Sequence, residues 1–443
     1  MVASSDHTRL GRTIVAVATP PGTSGVAVIR ISGPEAANVL KSLANRLPSA
    51  REASLVVLTD PASGQPLDRA LALWFPTPAS FTGEDVVELQ VHGGRAVVAA
   101  VLGASLAVPG VRPAEPGEFT RRAFENGKLD LAAVEGLGDL LQAETESQRR
   151  QAYAQYSGAL SGAVATVRDG LVSVLALVEA SIDFPDEGDV ESGVLAEARQ
   201  RLRDLDRQIG RLIEDGRRGE RIRDGVTIAI AGPPNAGKST LLNVLARRDA
   251  AIVSSIPGTT RDAIEVHLDL GGVAVTLVDT AGLRDSSDPV EQEGIARARR
   301  RLEAADLVLW LEADPAAATP EGRAKVWLIR SQIDRAAGGS GARHAISAVT
   351  GRGMDAFVAD LTAFAADAAG GEPAILVRER HRLAIGEVRE HIAAGLTAGD
   401  WEANSELIAE QLRLALGALG RLTGRVGSEA ILDELFSAFC IGK

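Results

Sequence analysis

Residues 226–240 read VTIAIAGPPNAGKST, and no other stretch constrains the fold so tightly. A β-branched apolar run, then Gly-x4-Gly-Lys-Ser, then the aliphatic TLLNVLA predict strand, loop and helix in that order. Such a loop aims successive backbone N–H groups at one point beside a helix N-terminus, where the β- and γ-phosphates of a nucleotide are held. Lys238 neutralises phosphate charge and Ser239 ligates Mg²⁺. Asn235, Ala236, Gly237, Lys238, Ser239 and Thr240 are therefore candidate nucleotide contacts. A chance glycine-rich turn lacks the strand and helix flanks.

Two further elements follow at the separations of a switch GTPase. IPGTTRD (256–262) offers a threonine that closes on Mg²⁺ and the γ-phosphate. VAVTLVDTAGLRD (273–285) ends a buried strand at Asp279, which suits the Mg²⁺ shell, with Thr280, Ala281 and Gly282 next to it and the Gly282 N–H facing the γ-phosphate. The following residue is Leu283, where Ras-like enzymes carry the water-orienting glutamine. Another group must position that water. The stretch DSSDPVEQEG offers acids, of which Glu291 or Glu293 could reach back to that water, and an exposed acidic loop is the plainer alternative.

The base-reading element is altered. WLIRSQIDRA (327–336) stands where a GTPase carries Asn-Lys-x-Asp, and it supplies Ser331, Gln332, Ile333 and Asp334. Asp334 retains the carboxylate that accepts from guanine N1–H and the exocyclic amine. Gln332 keeps an apolar stem without the charge, and Ser331 is a shorter tether. HAISAVTGRGMD (344–355) adds Ser347 and Ala348, whose N–H groups suit guanine O6. GTP is the expected nucleotide, read with weakened selectivity.

The fold expected is α/β plus α. Residues 1–125 alternate strands and helices as a mixed α/β domain; 126–222 and 373–443 form a helical domain; 223–372 form a Ras-like P-loop G domain inserted in it. The net charge of −12 argues against a general coat for nucleic acid. Only five lysines occur among 47 basic residues, so each marks a place where arginine did not serve. One cysteine, Cys440, excludes an internal disulfide. No signal peptide is evident, and the longest apolar run, 171–182, reads as too short to cross a bilayer and contains Glu179. A cytoplasmic protein without membrane attachment is expected.

GPPNAGKSTLLN, IPGTTRD, DTAGLRD and the terminal FCIGK, with ATPPGTSGVAVIRISGPEA, SFTGEDVVELQVHGG and RPAEPGEFTRRAFENGKLDLAAVEGLGDLL near the start, resemble the MnmE (TrmE) family of tRNA modification GTPases over essentially the whole chain. The resemblance implies a homodimer formed through an N-terminal tetrahydrofolate-binding domain. With a flavin-dependent partner, in a heterotetramer-type complex, such proteins add an aminomethyl or carboxymethylaminomethyl group at C5 of the wobble uridine of certain tRNAs. The one-carbon unit comes from 5,10-methylene-tetrahydrofolate or a formyl derivative, and hydrolysis depends on K⁺.

By motif correspondence, Asn235, Ser254, Ile256 and Thr259 are the K⁺ ligands, Ser239 and Thr260 ligate Mg²⁺, and Glu291 is the acid that positions water. Arg30, Glu88, Lys128 and Lys443 correspond to the folate site. Cys440, in CIGK, stands beside that site, either as a small packed hydrophobe or as a group with a part in the chemistry. A regulatory switch GTPase of ribosome assembly, whose outer domains hold RNA, is the alternative; it predicts a basic RNA-binding domain, and none is evident.

Overall fold

The computed structural model describes residues 11–183, 191–247, 265–279, 305–312, 325–335, 341–424, 429–437 and 439–443. They form two compact units, one of Met1–Gly138 with Gly420–Lys443, the other of Asp139–Leu419.

In the first unit, alternation of apolar and polar residues builds a sheet with one covered and one open face. Its strands are β1 (Thr13–Val17), β2 (Ser24–Ser32), β3 (Ser54–Thr59), β4 (Pro66–Phe75), β5 (Val86–Gly93) and β6 (Val111–Pro113), in the order β3-β4-β5-β2-β1-β6. Only the β1–β6 pair is parallel. Ile29, Ile31, Val87 and Leu89 pack under helices α1 (Ala36–Ala44) and α2 (Arg95–Leu106). Period two sends Arg30 and Glu88 to the opposite face. The edge strand β3 escapes the sequence reading because SLVVLT is short and half exposed.

Helix α3 (Glu118–Glu125) carries a buried ion cluster. Arg122, 1% exposed, donates to Glu118 and Glu84 at 2.9 Å, and Arg112 also donates to Glu118. Burial alone pushes the Glu118 carboxyl up; hydrogen bonds from Arg112, the Glu115 N–H and Arg122 outweigh it and hold it below the usual range. Helix α4 (Leu131–Gln142) follows.

The second unit begins with α5 (Glu146–Tyr156), α6 (Ala159–Asp183) and α7 (Glu191–Asp224). The sequence pattern runs 129–153 together as one helical stretch, but Thr145 stops it. Thr145 and Gln148 form a capping box that starts α5 afresh. The apolar run at 171–182 belongs to the 25-residue α6, which by length and composition could cross a membrane, so the expectation that it is too short is corrected. Its stripe Val164, Val167, Leu171, Val174 and Val178 is buried, and α6 packs that face along α7.

The second sheet comprises β7 (Val226–Ala231), β8 (Glu265–Leu270), β9 (Val273–Asp279), β10 (Leu307–Glu312), β11 (Lys325–Arg330) and β12 (His344–Ala345), in the order β12-β11-β10-β7-β9-β8. All neighbours are parallel except β8 and β9. Helices α8 (Lys238–Ala246) and α9 (Met354–Ala369) supply Leu241, Leu242, Leu245, Phe357 and Leu361 to its core. The chain continues through α10 (Glu379–Leu396), α11 (Ser405–Leu422) and α12 (Glu429–Ser437).

Glu118→Gln should lower stability at pH 7 by about 3 kcal/mol, because it breaks a buried charge pair. Glu118 contributes stability above its unfolded pKa that is lost as pH falls through its lowered folded value. The gap between variant and wild type in urea unfolding should therefore close in acid; a gap independent of pH would contradict this role.

Candidate functional site

The C-terminal ends of β7, β10 and β11 open on a cleft of about 570 Å³, and the chain folds its phosphate-binding and base-reading loops onto opposite sides of it. The loop after β7 can turn only because residue 232 is glycine: at φ +139° a Cβ there would lie 2.1 Å from Leu311 O. Gly237 then caps α8, and Lys238 donates to Gly232 O and Pro233 O at 2.9 Å. Asn235, Gly237, Lys238, Ser239 and Thr240 line the cleft. Ala236, also a candidate contact, buries its methyl in the core, 2% exposed. Its backbone N–H bonds Pro233 O.

Ser239 and Asp279 meet at the phosphate end. The Ser239 hydroxyl donates to Asp279 Oδ2 at 3.3 Å, while Asp279 Oδ1 is buried with no hydrogen-bond partner among the described residues. A buried carboxylate oxygen without a donor, beside a hydroxyl, suits a hard divalent cation with its water shell.

At the base end Asp334 and Ala348 line the cleft with Ser331 and Gln332. Ser347 is fully buried behind them, and its hydroxyl hydrogen-bonds the Asp334 carboxylate. That bond and the Asp334 backbone N–H hold the carboxyl below the usual range, so it is an ionised acceptor at neutral pH. Ser331 is anchored through N–H and hydroxyl to Glu312 O, at 3.0 and 3.5 Å.

Gln332 does something that the motif comparison missed. Its Nε2 donates 2.7 Å to Asn235 O, joining the base-reading loop to the phosphate loop. Both residues sit in the left-handed region, at φ 55° and 63°. For a non-glycine residue that costs about 1–2 kcal/mol, so the surroundings must enforce it. The missing lysine thus leaves a neutral amide tether between the loops. The contact spans 97 residues and has no local signal beyond an amide where a cation was expected.

On the face of the first sheet turned away from α1 and α2, Arg30 pairs with Glu88 at 2.9 Å and lies beside the rings of Phe81 and Phe119, 5.5 and 5.7 Å away. Arg30 also reaches Gly442 O at 3.5 Å, which brings the terminal segment to this pair. Burial, then the Arg30 charge, lowers the Lys443 pKa, and Glu88 and Cys440 oppose that. The Lys128 stem lies beside Gly83, and Cys440 is exposed. A cation beside an acid and two rings suits an aromatic ligand with an acidic tail. The two phenylalanines were not singled out in the sequence. Ser254, Ile256, Thr259, Thr260, Thr280, Ala281, Gly282, Leu283, Glu291 and Glu293 lie outside the described residues.

Two family models match the chain: the MnmE helical domain over residues 131–440, and the GTP-binding protein TrmE N-terminus over residues 13–128. The chain is 54% identical to the tRNA modification GTPase MnmE of Methylobacterium sp. (strain 4-46), over 97% of this chain and 99% of that one. It is 52% identical to the protein of the same name from Azorhizobium caulinodans, over 98% and 100%. It is 50% identical to that of Rhodopseudomonas palustris (strain CGA009), over 98% and 99%. Among solved structures, it is similar to the G domain of the T. maritima FeoB iron transporter, at 24% identity over 33% of this chain and 99% of that one, with a TM-score of 0.22.

Asp334→Asn would place an amide donor against the guanine donors. Titration should show GDP affinity falling about 10- to 100-fold, the effect of an unpaired buried donor, while the xanthine nucleotide, which carries an acceptor at C2, gains affinity. Unchanged GDP affinity would remove Asp334 from base reading.

Proposed function

Because the chain belongs to the MnmE family of tRNA modification GTPases, we propose that it is a K⁺-activated GTP hydrolase of tRNA modification. With a flavin-dependent partner it adds a carboxymethylaminomethyl or aminomethyl group at C5 of the wobble uridine of certain tRNAs. The observation that carries the hydrolase reading is the one cleft in which the Lys238 loop faces Asp334.

In that cleft the P-loop N–H groups and Lys238 balance the charge that develops on the γ-phosphoryl oxygens. Asp334 orients the base and Gln332 fixes the spacing between base and phosphates. Ser239 and Thr260, with Asp279 beside Ser239, would hold Mg²⁺, which would supply further charge neutralisation. Asn235, Ser254, Ile256 and Thr259 would hold K⁺, which would supply the positive charge that an arginine finger supplies elsewhere. Glu291 positions the attacking water in place of the glutamine that Leu283 replaces.

The folate reading rests on the Arg30–Glu88 pair and its two phenylalanines. Lys128 and Lys443 suit the acidic tail of methylene-tetrahydrofolate or a formyl derivative. Cys440 stands beside Lys443 and takes part at most as a thiol at the edge of that site. A homodimer through the N-terminal domain is supported by its open sheet face, where Leu55, Val57 and Leu71 are 40–52% exposed on neighbouring strands. The reading includes a folate-binding domain at 1–125, a helical domain at 126–222 with 373–443, the G domain 223–372 inserted in it, and a cytoplasmic protein.

Steady-state GTP hydrolysis in KCl, then in NaCl at equal ionic strength, tests the mechanism. Turnover should require K⁺; Asn235→Ala should erase that dependence, and Glu291→Ala should abolish turnover while sparing nucleotide binding. Equal rates in the two salts would refute K⁺ activation, and near-normal turnover of Glu291→Ala would remove that residue.

A further inference from the structure

The helix α5, ESQRRQAYAQY, is polar in sequence, yet Gln151 and Gln155 are 3% and 2% exposed. Ser147, Gln148, Gln151 and Gln155 fall on one face of it by helical spacing. What that face touches is backbone. The Ser147 N–H and hydroxyl both donate to Gly272 O, at 3.0 and 2.6 Å. Gln148 Nε2 donates to Arg223 O at 3.1 Å. Gln151 makes a reciprocal pair with Ala374, donating to its carbonyl at 2.6 Å and accepting from its N–H at 2.7 Å. Gln155 donates to Ile375 O at 2.6 Å.

These are the points where the sheet of the nucleotide site meets the helices. Arg223 lies in the last turn of α7, just before β7 leads into Gly232. Gly272 is the tip of the β8–β9 turn, held at φ +86° with its N–H on Asp269, and β9 runs from there to Asp279. Ala374 and Ile375 lie where the chain leaves α9 for α10. The strands β7 and β9 are paired along their length, from Val226↔Val275 to Ile230↔Asp279. A paired strand is stiff along its axis, so a shift at Asp279 is felt about 20 Å away at Gly272. Apolar packing would allow the joint to slide. Paired amides and a carbonyl held by two donors from one residue do not, because any slip leaves buried polar groups unsatisfied.

We propose that α5 couples the nucleotide site to the helical frame, with Ser147 as the positioning residue that passes movement of β9 to α5 and thence to α7 and the 374–378 segment. The inference rests on the GTPase reading.

Hydrogen exchange of the full-length protein, in KCl with GDP and then with GDP and aluminium fluoride, tests it. In the wild type the change of nucleotide state should alter exchange both in β9 and in α5, the end of α7 and 374–378. Ser147→Ala and, separately, Gln151→Ala should keep nucleotide affinity and the response in β9 but lose most of the response in the helices. Ser147→Thr, which keeps the hydroxyl, should restore it. An undiminished helical response in both alanine variants, or none in the wild type despite a response in β9, would overturn the proposal. Absence of nucleotide binding in the wild type would overturn the GTPase reading and this inference with it.

Discussion

Everything at the nucleotide site depends on one constraint: a loop that binds phosphate through its backbone must hold several N–H groups on one point. Gly232 meets it by passing so near Leu311 O that no side chain fits. The parallel strands β7 and β10 set that distance, and α8, starting at Lys238, fixes the direction of the N–H groups. The aliphatic residues of β7 and α8 are buried in one core, so the loop cannot relax without disturbing it.

Base recognition is built on the same frame with weaker parts. The buried Ser347 hydroxyl holds the Asp334 carboxyl below its usual range, and the neutral Gln332 amide bridges the two loops where a lysine was expected. One hydrogen bond joins two residues held in the left-handed region, so spacing between base and phosphates is set by a short, stiff contact. The helical frame grips the opposite ends of the same strands through the Ser147 and Gln148 side chains of α5, which donate to backbone carbonyls there.

The sequence made the P-loop, Asp279, Asp334 and the alternating sheets legible because each is a local pattern of spacing or period. Contacts between distant segments carry no such signature. The amide of Gln332 on Asn235, the phenylalanines beside Arg30 and the polar face of α5 all join residues far apart in the chain. Ala236 fits the phosphate-loop motif, yet its methyl packs into the core. Thr145 ends a helical pattern that periodicity alone would continue, since only its capping box marks the break. The helix α6 shows the converse: its composition would serve in a bilayer, and only the structure shows its apolar stripe buried along α7.

The central claim is that a site lacking Asn and Lys in its base-reading loop still selects guanine through Asp334 and the Gln332 tether. Competing GTP and ATP for the purified protein, in KCl and Mg²⁺, measures that most directly. The account requires GTP to bind and turn over in clear preference to ATP. Equal use of the two would contradict it, and would mean that the altered loop no longer reads the base.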